Sequence, residues 1–184
     1  MKHSSNPSIE EMRTRIVFIF AFYVSAIVML SICFFALYLS AGEYLKTSRL
    51  VIGEVLVYTE FPAHGSPKLV TYLMVMSVIS WFCVTRLAGD RVKTIRESVK
   101  SLFQLIVIAI VVVALYEFIY NFFLLNSFLA KEAIRGQFMS DHISVPYPNP
   151  RTPWNLVFAT KMTLAGFLIS AHAFYIISKS KRQK

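Results

Sequence analysis

Glu117 and Lys161 carry the chemistry least expected of their surroundings, because each interrupts a long apolar run of this 184-residue chain. An ionisable group at bilayer depth is costly unless it is paired or wetted, so it marks a functional hypothesis. Glu117 stands eight residues before Leu125, about 12 Å along a helix axis, and Lys161 seven residues after Trp154, about 10.5 Å. If the two runs are antiparallel helices, acid and base reach the same depth, and the expected arrangement is an interhelical ion pair. Helical spacing brings Tyr120 and Asn121 to the face of Glu117, with Tyr116 alongside. The cluster of Glu117, Lys161, Tyr116, Tyr120 and Asn121 can serve as a polar clasp that fixes helix register. A proton relay or cation site, and a contact for a partner subunit, are the other readings of the same residues.

Metal and redox chemistry have fewer residues to draw on. Of the four histidines, His64 and His142 fall in loops where Glu60 and Asp141 could join them, so His64, His142 and Asp141 are the metal candidates there, with simple solvation as the alternative. His3, behind Met1 and Lys2, could offer a square-planar copper or nickel site together with the terminal amine. His172 has no second intramembrane histidine for bis-histidine haem ligation. Cys33 and Cys83 fall near opposite ends of their runs, too far apart in depth to pair, and read as packing residues. With no phosphate-binding glycine loop, nucleophile elbow or His-Glu-x-x-His pattern, neither a catalytic residue nor a cofactor is expected.

The elements that must position these residues follow from composition. Hydrophobic residues make up 56% of the chain and charged ones 16%, and the mean hydropathy is +0.57. Soluble domains carry about 25% charged residues. These values exclude a soluble enzyme domain, a disordered tail and a disulfide scaffold. The net charge of +9 flanks the apolar runs, which points to anionic lipid headgroups rather than nucleic acid. Four runs, at about residues 16–41, 69–85, 102–125 and 154–178, are long enough to cross the roughly 30 Å of hydrocarbon as helices. The expected fold is therefore all-α: one polytopic domain over residues 1–184, a four-helix transmembrane bundle.

Orientation follows from the basic residues of the connections. Twelve of the 19 lie in the N-terminal segment, the loop from Arg86 to Lys100 and the C-terminal tail; six lie in the other two loops, and Lys161 completes the set. Both termini are expected to face the cytoplasm, with the chain multi-pass in the cell membrane. The first outer loop contains the apolar stretch Leu50 to Tyr58, too short to span, which reads as a strand pair or as a helix lying on the membrane surface. The second ends in Pro146-Tyr147-Pro148-Asn149-Pro150-Arg151-Thr152-Pro153, where four prolines impose an extended path suited to docking. Thr152, Pro153 and Trp154 then read as the start of the fourth helix.

The fourth helix has two distinctive faces. At about 100° per residue, Ala159, Thr163, Gly166, Ser170 and Ala173 fall along one line, a small-residue stripe that allows close helix approach. Lys161, Leu168 and His172 fall on nearly the opposite side. Such a helix is expected to sit between two neighbours, and in a bundle of four this suggests a second chain.

The strip from Asn149 to Met162 (Asn-Pro-Arg-Thr-Pro-Trp-Asn-Leu-Val-Phe-Ala-Thr-Lys-Met), with Tyr116-Glu117-Phe118-Ile119-Tyr120-Asn121, resembles small helical membrane proteins of ammonia-oxidising archaea. Their copper-dependent ammonia monooxygenase carries short accessory subunits beside its catalytic ones. The resemblance covers about a tenth of the chain, transfers no active-site residue, and implies a non-catalytic subunit. The expected partners are membrane lipids and larger membrane subunits. A small homo-oligomeric transporter or proton-coupled channel working through Glu117 and Lys161 is the alternative.

Overall fold

The computed structural model describes residues 9–47, 53–63, 65–136 and 155–182. In chain order its helices are α1 (Ile9–Thr47), α2 (Glu54–Tyr58), α3 (Leu69–Lys93), α4 (Glu97–Ile134) and α5 (Leu156–Arg182). All but α2 are long and apolar enough to cross a membrane. Each extends past the apolar run read from sequence, because helix-forming residues continue beyond the hydrophobic ones. Arg86, Leu87 and Ala88 prolong α3, and Asn126 to Ile134 prolong α4. At 39 and 38 residues, α1 and α4 span about 57 Å each, nearly twice the thickness of the hydrocarbon layer.

The helices form an open row rather than a closed ring. Helix α1 packs on α3, α3 on α5, and α5 on α4, while among the described residues α1 and α4 do not touch. Three pairs of contacts fix the directions. Phe18 meets Phe82 at 6.1 Å between ring centroids while Ile32 packs with Val70 and Leu73, so α1 and α3 are antiparallel. Lys161 meets Thr71 and His172 stacks on Phe82, so α3 and α5 run parallel. Gln104 Nε2 donates to Ser178 Oγ at 2.9 Å while Gly166 faces Ala114, so α4 and α5 are antiparallel. The two neighbours expected of α5 are thus α3 and α4 of the same chain, and no second chain is needed to supply them.

The best-buried apolar cluster lies at one end of the row, beneath α2. Leu56 and Val57 are buried against Ile32, Leu69, Val70, Leu73 and Val157. The helix expected in this loop forms as a single turn packed on the protein's own helices, and the strand-pair reading gives way to it. Gly53 makes the join possible. Its φ of +85° suits glycine, and a Cβ there would stand 2.2 Å from Cγ of Phe158. A single antiparallel bridge, Glu60 to Lys68, closes the following turn.

Helix α5 starts at Leu156, two residues later than the expected start. Asn155 is its cap: the buried Oδ1 accepts the Val157 N–H at 3.0 Å and the Phe158 N–H at 3.4 Å. Thr152, Pro153, Trp154 and the proline-rich segment before them lie outside the described residues.

Candidate functional site

The small-residue stripe of α5 decides what surrounds Glu117. Gly166 comes so close to Ala114 that a Cβ on it would stand 3.9 Å from that methyl, an ordinary van der Waals distance. Its hydroxyls do not hold α4. Thr163 Oγ1 donates to the Ala159 carbonyl at 2.8 Å and Ser170 Oγ to the Gly166 carbonyl at 2.7 Å, each satisfied on its own helix. The stripe therefore behaves as a smooth apolar trough, and dispersion between close backbones holds the helices together. Ser170 and Ala173 are buried, while Ala159 and Thr163 are partly so.

Between α4 and α5 this trough leaves an open groove of about 800 Å³. Helix α4 lines it with Ala109, Ile110, Val113, Ala114, Glu117 and Asn121; α5 contributes Phe158, Ala159, Met162, Thr163 and Gly166. Glu117 is partly buried and forms no hydrogen bond or ion pair among the described residues. Asn121, one turn on, is 2% exposed, and its Oδ1 lacks a hydrogen-bond donor among the described residues. An orphaned buried acceptor is uncommon in folded proteins and calls for an explanation.

Lys161 does not share this groove. Its Nζ donates to Thr71 Oγ1 of α3 at 2.6 Å. The expected Glu117–Lys161 ion pair is therefore not formed. The two residues point in different directions, since the face of α5 that meets α4 is the stripe and Lys161 is on the other. His172 shares the Lys161 face and stacks on Phe82 of α3, with centroids 5.6 Å apart; the Arg86 guanidinium lies 5.2 Å from the centre of the same ring. Nor do the tyrosines join Glu117. Tyr116 and Tyr120 are exposed and stack on each other, with centroids 6.2 Å apart and planes 9° from parallel. Of the five residues expected to cluster, the groove brings together two, Glu117 and Asn121.

His64, His142 and Asp141 lie outside the described residues, as does His3. Glu60, the acid that could have joined His64, is already engaged: Oε1 pairs with the Lys68 ammonium, and Oε2 accepts the Gly65 N–H at 2.7 Å. Among the described residues no group of three or more His, Cys, Asp or Glu side chains could hold a metal ion.

Thr71, Asn155 and Lys100 escaped the sequence reading. Thr71 carries a signal in hindsight, since it is the hydroxyl one turn into α3 at the depth where α5 presents Lys161. Lys100 reads as one of five basic loop residues, yet it is 2% exposed on α4. No family model, curated protein or solved structure matches the chain.

Proposed function

We propose that this chain is a non-catalytic accessory subunit of a multi-subunit membrane complex, multi-pass in the cell membrane with both termini cytoplasmic. The complex is of the kind implied by the resemblance to accessory subunits of the archaeal ammonia monooxygenase. The open row carries the reading. Helices α1 and α4 each have one long neighbour in the chain, so the edges present two apolar helices of 39 and 38 residues to whatever lies beside them. A row of this kind can complete a larger helical assembly by continuing it at either edge. Extraction of the protein from its own membrane in mild detergent, followed by native mass spectrometry, tests the proposal. Larger subunits travelling with the chain are the expected result, and recovery of the chain alone as a stable monomer contradicts it.

The second reading is a small homo-oligomeric transporter or proton-coupled channel. The favouring observation is Glu117 in an open groove without a partner among the described residues. With Lys161 bonded to Thr71, this reading rests on Glu117 alone. It requires that purification return only copies of the chain, and that Glu117→Gln abolish flux in reconstituted vesicles.

A further inference from the structure

The α4–α5 groove has a polar end and an apolar end. Glu117 and Asn121 stand at the end nearer the start of α5, while Ala109, Ile110 and Val113 line the rest. Eight residues of α4 separate Glu117 from Ala109, about 12 Å of apolar wall. The carboxyl group has no partner among the described residues, and the Lys161 ammonium that could have neutralised it is turned to Thr71 on α3. Close by, the buried Asn121 Oδ1 is an acceptor without a donor among the described residues. What is missing here is therefore a donor-rich positive group, joined to an apolar body that fills the remaining trough. The groove's volume lies in the range of small-molecule sites, about 300–1,000 Å³.

We propose that this groove is a binding site for a cationic amphiphile, with its ammonium head at Glu117 and Asn121 and its apolar body along Val113 and Ile110 toward Ala109. A primary ammonium carries three N–H donors, enough for the carboxylate and, once the Asn121 side chain turns its sealed oxygen toward the groove, for the amide as well. The counter-charge offsets the cost of holding a carboxylate at this depth, which a neutral head does less well and an anionic head opposes. The small side chains Ala109, Ala114, Ala159 and Gly166 keep the trough open. The proposal does not depend on the subunit reading, because the site is built from this chain alone.

The test uses the full chain in a neutral maltoside detergent, offered decylammonium, decanol or decanoate at equal concentration, with retained ligand read by native mass spectrometry. One decylammonium per chain is expected, held tighter than decanol by about tenfold or more, as for a hydrogen bond to a charged group. Decanoate should not be retained. Glu117→Gln should erase the preference for the amine, and Ala109→Phe, which fills the apolar end of the trough about two helical turns from the charge, should prevent retention of every amphiphile. Tyr116→Phe, on the exposed face, should change nothing. Equal retention of the three probes, or an unchanged amine preference in Glu117→Gln, overturns the proposal. If Glu117→Gln does not fold, undiminished retention by Ala109→Phe overturns it instead. A photo-crosslinking residue at Val113, activated in the native membrane, should capture lipid-sized molecules; capture of another protein at that position shows that a partner covers the groove and also overturns the proposal.

Discussion

The helices in the middle of the row are covered by the chain more than those at its edges, and their sequences differ accordingly. Over their most apolar stretches, α1 and α4 have mean hydropathies of 2.7 and 2.6, whereas α3 and α5 have 1.6 and 1.4. A middle helix has protein on two sides. It can carry Thr71, Lys161 and Ser170, whose polar atoms find partners on a neighbour or on the helix's own carbonyls. An edge helix leaves most of its circumference uncovered by the chain, and in a membrane such a surface accepts apolar side chains but leaves polar ones unsatisfied. What α4 buries makes the point: its buried residues are Lys100 and Asn121, both polar, while its valines and isoleucines are exposed or at most partly buried. In a bilayer, burial within the protein sorts polar and small residues inward as much as apolar ones.

The contrast is open to attack by substitution, with the largest loss expected where the middle helices meet beneath α2. Gly53→Ala places a methyl group inside the Phe158 ring and asks alanine to hold a φ of +85°. Stability should fall by about 3 kcal/mol in a denaturant titration of the reconstituted protein. Next comes a matched pair of leucines. Leu73→Ala, in the buried cluster of α3, should cost about 2 kcal/mol. Leu37→Ala on α1, 65% exposed, should stay within about 0.5 kcal/mol. Equal losses would mean that the edge helix is as deeply engaged as the middle one, and the open row would be wrong.

A smaller effect separates the two faces of α5. Lys161→Met removes the bond to Thr71 and should cost about 1 kcal/mol. Combined with Glu117→Leu, its effect should be additive within about 0.5 kcal/mol, because the two side chains face different helices. A double variant markedly more stable than that sum would restore the ion pair. The smallest effect is expected at Gly166→Ala. The added methyl meets Ala114 at 3.9 Å, so stability should hold or rise by up to about 1 kcal/mol through helix propensity.

Four helices long and apolar enough to span a membrane were legible because run length and composition report them directly, and the stripe on α5 was legible because a period of 3.6 residues reports a face. What periodicity does not report is which neighbour meets that face. Glu117 and Lys161 matched in depth, and depth alone suggested a pair; yet the same wheel that aligned Ala159, Thr163 and Gly166 had already put Lys161 on the other side. Once the stripe belongs to α4, Lys161 must turn to α3. Tyr116 and Tyr120 were drawn toward Glu117 by spacing, but their stacked rings turn outward on the exposed side of α4. Asn155 was overlooked because Thr152-Pro153 is the more familiar helix start, while the cap that forms depends on an amide buried beside α2.

The assignment of α5's two faces is tested most directly by paired cysteines, in a background with Cys33 and Cys83 replaced and with the protein kept in the membrane. A disulfide needs Cβ atoms about 3.8 Å apart. Ala114→Cys with Gly166→Cys meets that spacing, since the ideal Cβ at Gly166 lies 3.9 Å from that of Ala114. This pair should cross-link under mild oxidation, while Glu117→Cys with Lys161→Cys should not. A bond between positions 117 and 161, with none between 114 and 166, would show that Lys161 faces α4 after all and would contradict the arrangement of the row.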